Sequence, residues 1–98
     1  MAGTGKGSTP RQREFGDRVR SRRQALGISQ EELAHRAGIN RTYIGSLESG
    51  ERNPSLDNIA RLARGLGCDA AELVAGLQEL AGRRDAPPRR RARRREGS

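Results

Sequence analysis

The sequence predicts an all-α fold, a compact bundle of five helices, on three observations. Arg, Ala, Leu and Glu dominate the composition, and all four favour helix. Phe15 and Tyr43 are the only aromatic side chains, which argues against strands, where aromatic and β-branched residues collect. Helix-start and helix-stop signals also recur along the chain at helical lengths. A length of 98 residues suits one domain. With 32% hydrophobic residues the core must be small, and a domain of this size is marginally stable alone unless something such as oligomerisation supports it.

The first helix is expected from about Arg11 to Leu26, with Phe15, Val19 and Leu26 on one face and Arg22 and Arg23 between the last two. Gly27 suits its C-terminal stop. Ser29 and Glu32 have the spacing of a capping box, and Ile28 with Leu33 that of a hydrophobic staple, so a second helix starts there and ends at Gly38. Asn40 caps a third, with Ile39 and Ile44 as staple and Gly50 beyond its end. Ser55 caps a fourth, preceded by Pro54, with Ile59 inside and Gly67 as stop. Asp69 and Glu72 form a further capping-box pattern with Cys68 and Leu73 as staple, predicting a fifth helix towards Gly82.

These signals divide the chain into a flexible N-terminal arm over 1–13, a helical domain over 14–81 and a disordered basic tail over 82–98. The formal charge of +8 is uneven. Lys6, Arg11 and Arg13 give the arm +3. Residues 14–80 carry nine Arg against ten Asp and Glu, a net −1, and residues 81–98 carry eight Arg against two acids, a net +6. Net charge points to an anionic partner, but the domain itself is close to neutral, so function must be argued from individual side chains.

Several classes fall away. Cys68 is the single cysteine, so no internal disulfide forms; it reads as a small apolar residue at a staple position. No apolar run approaches membrane-span length and no signal peptide is evident, which makes a cytoplasmic location the plain expectation. His35 has no second ligand at metal spacing. Gly3-Thr-Gly-Lys-Gly-Ser lacks the spacing of a phosphate-binding loop and has no strand before it. No nucleophile, base and acid grouping suggests an enzyme, and no cofactor is implied.

The second and third helices carry the functional signal. A short helix, a turn of about three residues containing Gly38, and another helix make a helix-turn-helix over Ser29–Ser49. Leu33, Ala34 and Ala37 face inward from the first of the pair, and Ile39, Ile44 and Leu47 from the second. Arg41, Thr42, Gly45 and Ser46 lie away from Ile44 and Leu47, with Tyr43 at the edge. Such a helix sets its first residues against base edges in the major groove, where Arg donates twice to guanine and Thr bonds a base or touches a thymine methyl. Gly45 would remove a side chain where the helix lies against the groove. Gln30 and the loop Glu51-Arg52-Asn53 would flank the groove and meet phosphates.

Residues 15–80 resemble the Cro/CI-like helix-turn-helix family, the xenobiotic-response-element type with its lambda-repressor-like fold. The resemblance is carried by Leu26-Gly-Ile-Ser-Gln-Glu-Glu-Leu-Ala-His-Arg-Ala-Gly-Ile, by Ile44-Gly-Ser-Leu-Glu-Ser-Gly and by Pro54-Ser-Leu-Asp-Asn-Ile-Ala-Arg-Leu-Ala. Arg41-Thr42-Tyr43, with Arg52-Asn53 downstream, is most similar to restriction-modification controller proteins. The resemblance implies a homodimeric transcriptional regulator that binds double-stranded DNA at palindromic operators. It implies base reading by Arg41, Thr42 and Ser46, and backbone or groove contacts by Gln30, Tyr43 and Arg52. It also implies an ion pair of Arg23 with Glu48, which accounts for an acid that would repel phosphate if it faced outward. The family includes antitoxins and partner-binding modules, which stand as the alternative.

Other choices stay open at this stage. Tyr43 either packs its ring on the domain or hydrogen-bonds a phosphate. Leu73, Val74, Leu77 and Leu80 are more apolar positions than one core face needs, so Val74, Leu77 and Leu80 either meet a twin subunit or complete the core. The arginine run from Arg89 to Arg95, broken only by Ala92, is a solvated tail, a sequence-independent nucleic-acid contact or a product of arginine-rich coding. Bound near a promoter, the protein would block RNA polymerase or contact it.

Overall fold

A computed structural model describes residues 8–80. Residues 1–7 of the expected arm, and residue 81 with the expected tail 82–98, lie outside the described residues. The described chain is helical, with α1 Pro10–Ala25, α2 Gln30–Ala37, α3 Arg41–Glu48, α4 Leu56–Leu66 and α5 Ala70–Val74, then a single 3-10 turn over Leu77–Glu79. No strand occurs among the described residues, and none of their helices is long and apolar enough to cross a membrane.

Helix α1 begins at Pro10, inside the segment expected as arm, because two local devices start it there. Thr9 accepts from the Gln12 backbone N–H at 3.1 Å, and the Gln12 side chain accepts from the Thr9 N–H at 3.2 Å. Pro10 sits at the first helical position, where its missing N–H costs nothing. Ser8 is also fixed, its hydroxyl donating to Gly50 O at 2.8 Å.

The caps on α2, α3 and α4 fall where the residue pattern set them: Ser29, Asn40 and Ser55 each accept a backbone N–H from the helix they open. Helices α2 and α4 end on Gly38 and Gly67, both with φ near +70°, a conformation that costs glycine little. At α5 the capping box is incomplete. Asp69 accepts from Ala71 N rather than from Glu72 N, and the Glu72 carboxylate is held instead by Arg22 of α1 at 2.8 Å.

Two expectations need correction. Leu26 is 47% exposed, not on the buried face; it follows the last residue of α1, where the chain turns through Gly27, and Ile28 packs against the core instead. The fifth helix stops at Val74, because Ala75 is extended and Gly76 takes φ +77°.

The core is built from Phe15 and Val19 of α1, Leu33 and Ala37 of α2, Ile44 and Leu47 of α3, Leu62 and Leu66 of α4, and Leu73 of α5. Helix α2 packs on α3 and α4, while α1 crosses α3, α4 and α5. Two glycines allow the closest approaches. A Cβ on Gly65 would lie 3.2 Å from Leu33 Cδ1 and from Ala37 N, so α4 presses on α2 there. A Cβ on Gly16 would strike the backbone carbonyls of Leu47 and Glu48, so α1 rides directly over the carboxyl end of α3.

Candidate nucleic-acid interface

The recognition element starts with its own cap. Asn40 turns the chain into α3, its side-chain oxygen accepting from Thr42 N at 2.7 Å. An eight-residue helix with Ile44, Leu47 and Glu48 buried leaves its opposite face outward. Arg41 and Thr42 are exposed in its first turn, and Ser46 is half-buried one turn on.

What fixes the orientation of that face is a buried polar knot. Glu48 is 3% exposed. Arg23 Nε donates to one of its carboxylate oxygens at 2.7 Å and Arg23 Nη2 to the other at 3.0 Å, a bidentate pair of the strong, planar kind. Gln30 Nε2 adds a bond to Glu48 Oε1 at 3.1 Å, and Arg23 Nη1 donates to Ile28 O at 2.9 Å. One carboxylate thus holds together α1, the amino end of α2 and the carboxyl end of α3. The hydrogen bond with Glu48 raises the Arg23 pKa, with burial opposing, so the guanidinium remains charged.

The flanks are arranged around this helix. Gln30 is half-buried, with one of its two amide hydrogens committed to Glu48. A Cβ on Gly45 would lie 3.7 Å from Gln30 Oε1, so the missing side chain faces Gln30 of α2 and not open groove. Tyr43 is half-buried against the core, and the Arg52 guanidinium lies 5.6 Å from its ring centroid, within cation–π range. Arg52 and Asn53 are exposed on the loop between α3 and α4. That loop is held by Glu51 N donating to Ser46 O at 2.9 Å. Arg41, Thr42 and Ser46 therefore share one helix with Tyr43, and Arg52 is drawn to the same edge through the tyrosine ring.

The candidate dimer residues lie elsewhere. Val74 and Leu77 pack against the core and line a cleft of about 340 Å³ with Phe15, Asn53, Pro54 and Ile59. Leu80 is half-buried. Leu56, two residues beyond Pro54, is 83% exposed, an apolar side chain that the sequence pattern did not single out.

A model of a helix-turn-helix family matches residues 19–73, more than half of the chain. The chain belongs to the helix-turn-helix family. Its domain is of Cro/CI type, and its function is that of a DNA-binding transcriptional regulator. The helix-turn-helix chain is 43% identical over 61 residues to control protein C.BamHI of Bacillus amyloliquefaciens, spanning 61% of this chain and 75% of that protein. It is similar in structure to the restriction-modification controller protein C.AhdI from Aeromonas hydrophila, with TM-score 0.61 and 48% identity over 62% of this chain and 92% of the other. It also resembles the P22 c2 repressor, solved in complex with a synthetic operator, with TM-score 0.59 and 32% identity over 63% of this chain and 94% of that one.

Proposed function

We propose that two copies of this regulator bind a short palindromic operator, each placing α3 in the major groove. Arg41, Thr42 and Ser46 read base edges. Gln30, through its second amide hydrogen, Tyr43 through its hydroxyl, and Arg52 and Asn53 on the following loop contact the sugar-phosphate backbone. The observation that carries this reading is the division of α3: Ile44, Leu47 and Glu48 are buried, whereas Arg41 and Thr42 stand exposed on its first turn. Restriction-modification controllers and an operator-bound repressor share the fold, which favours control of a promoter. Occupancy beside that promoter acts on RNA polymerase by exclusion or by contact, in the cytoplasm.

Pairing of two copies is supported by the apolar surface around the cleft. An exposed Leu56, between Pro54 and Ile59 in sequence, and a cleft lined by Phe15, Pro54, Ile59, Val74 and Leu77 offer a knob and a hole on one chain, which a twofold self-contact would use twice. Half-buried Leu80, three residues beyond Leu77, is taken as a further member of that contact.

Sequence selection from a random duplex pool at about 150 mM salt tests the proposal, and one palindrome with half-sites about one helical turn, roughly 34 Å, apart is the expected product. Arg41→Ala should weaken binding to that site by about 1–3 kcal/mol and relax the preference at one base pair of each half-site. An unaltered preference in the Arg41→Ala, Thr42→Ala double variant would remove α3 from base reading.

A further inference from the structure

We infer that α1 carries phosphate contacts of its own: Arg13 and Arg20, on the edge of that helix bordering α3, hold the backbone of the duplex that α3 enters. The inference rests on the DNA-binding reading above and deepens it, because it brings a helix outside the helix-turn-helix into the contact. Arg13 lies ahead of the family match, residues 19–73.

The arginines of α1 sort by the edge they occupy. Arg11, Arg18 and Arg22 lie towards α5 and the turn after it. Arg11 donates to Leu77 O and Gln78 O, Arg18 to Leu73 O, and Arg22 pairs with Glu72. The opposite edge is set by Gly16, which lies against the Leu47 and Glu48 carbonyls, and by Arg23, which holds the Glu48 carboxylate. Positions 13, 16, 20 and 23 recur at the three- and four-residue steps that align side chains along a helix. Arg13 and Arg20 therefore border the carboxyl end of α3.

Neither is engaged there. Both are exposed, and neither holds a carboxylate or donates a side-chain hydrogen bond among the described residues. Nearby acids are turned elsewhere. Asp17 lines a charged groove with Glu14, Arg18 and Glu72 on the α5 side. Glu51 accepts from the Ser49 hydroxyl at 3.3 Å. By contrast, Arg18, Arg22, Arg23, Arg36 and Arg61 each lie within 3.2 Å of a carboxylate oxygen. Two cations kept apart from the domain's own acids leave their charge for an external anion.

A close packing contact places Arg13 at the DNA-facing loop. A Cβ on Gly50 would come within 2.8 Å of Arg13 Cγ and 3.1 Å of Arg13 Cα, so α1 crosses directly over Gly50 at this residue. Gly50 takes φ +83° and opens the loop that continues with Glu51, Arg52 and Asn53. Glu51 N donates to Ser46 O at 2.9 Å, and Ser8 Oγ fastens Gly50 O at 2.8 Å. Arg13 thus rises from the root of the loop that carries the proposed backbone contacts Arg52 and Asn53.

Spacing and charge fit one strand of a duplex. Seven residues of helix span about 10.5 Å, and phosphates along one strand rise about 3.4 Å each, so the two positions lie about three phosphate steps apart. Residues 14–80 have a net charge of −1, so this domain attracts a polyanion through individually placed cations rather than through its overall field. A guanidinium engages a phosphate through two parallel N–H donors. The ligand is the phosphate backbone of double-stranded DNA beside the base pairs that α3 reads.

The full chain is compared with Arg13→Gln, Arg20→Gln, the double variant and Arg64→Gln. Arg64 is exposed on α4 beside Asp57, Ala60 and Arg61 and holds no carboxylate among the described residues, so its variant removes an equal charge from another element. Gln is nearly as good a helix former as Arg, and every thermal melt should match the parent. Anisotropy titrations follow binding to the selected operator, with flanking base pairs, over a salt series. Each α1 substitution should lower the slope of log K against log salt by about 0.9, and the double variant by about 1.8. From about 50 to about 200 mM salt the parent should then lose about tenfold more affinity than the double variant. Preference among operators should not change, and Arg64→Gln should keep the parent slope. A parent-like slope in the double variant would overturn the inference and leave these arginines to an acidic protein surface or to solvent. An equal fall in Arg64→Gln would overturn it too, by making the effect one of net charge. The same titrations on a mixed-sequence duplex read the slopes even where selection yields no operator, so base reading can fail while the α1 contact stands.

Discussion

Arg23 and Glu48 meet through two hydrogen bonds of 2.7 and 3.0 Å, and both side chains are shielded from solvent. They lie twenty-five positions apart, and their pairing locks the first helix onto the end of the recognition helix. Such a pair contributes little over a well-packed apolar substitute, yet stranding one partner is costly. Glu48→Ala should therefore lose about 3–5 kcal/mol in urea unfolding, whereas replacing Arg23 by Met and Glu48 by Leu together should lose much less. The Arg23 pKa is raised by Glu48. The stability it contributes is thus fully present below its unfolded value and is lost only as pH rises through the higher folded value. Mild alkali should leave the pair intact.

Gly16→Ala should destabilise the domain even though alanine is the better helix former by about 1 kcal/mol. The added carbon would meet two backbone carbonyls of α3, which cannot swing aside as a side chain can. Overpacking of this kind costs about 1–3 kcal/mol, and calorimetry should show a lower melting temperature.

Gly45→Ala is expected to do the opposite. Its Cβ would make ordinary contact with Gln30 at 3.7 Å, so the helix gains about 0.5–1 kcal/mol. Operator affinity should stay within about threefold of the parent, since 1.4 kcal/mol corresponds to tenfold and the methyl points at α2. A large loss of binding with a normal melt would show that this position touches the groove directly.

Leu56→Ser tests self-association without disturbing the core, because the side chain is exposed in the single chain. Removing an apolar side chain that would be buried on pairing costs about 1.5–3 kcal/mol. Sedimentation equilibrium should show at least tenfold weaker pairing, with operator binding falling alongside. Unchanged sedimentation would exclude this knob from the contact.

Cys68 should react slowly with an alkylating reagent near neutral pH. Burial pushes its thiol up, with Arg22 opposing in part, and the thiolate is the reactive form. Alkylation should be faster in the urea-unfolded chain at the same pH, and the folded rate should climb only at distinctly alkaline pH.

Residues that act locally were the legible ones. Ser29, Asn40 and Ser55 announce α2, α3 and α4 because a cap and a staple depend on neighbours within four positions. The Thr9–Gln12 box is masked by the Gly-, Ser- and Thr-rich stretch around it, which reads as arm. The break at Gly76 is masked likewise, because the apolar spacing of Leu73, Leu77 and Leu80 suits an unbroken helix. The outward placement of Arg41 and Thr42 followed from the inward periodicity of Ile44 and Leu47. The Arg23–Glu48 pair came from family resemblance, since no local rule joins two residues in different helices. Gly16 and the Gln30–Glu48 bond gave no signal: a helical glycine does not say what crosses it, and an amide does not say which acid it will find. Exposed Leu56 was hidden in the same way, as nothing in a capped first turn distinguishes a knob from a core residue.

The knot around Glu48 has an evolutionary corollary. Gly16, Arg23 and Leu47, which hold α3 at its angle, lie behind it, and the letters it would spell out to DNA lie in front. Relatives of this protein could exchange the residues at 41, 42 and 46 to address new promoters while inheriting an unaltered chassis, so that vocabulary drifts and grammar persists.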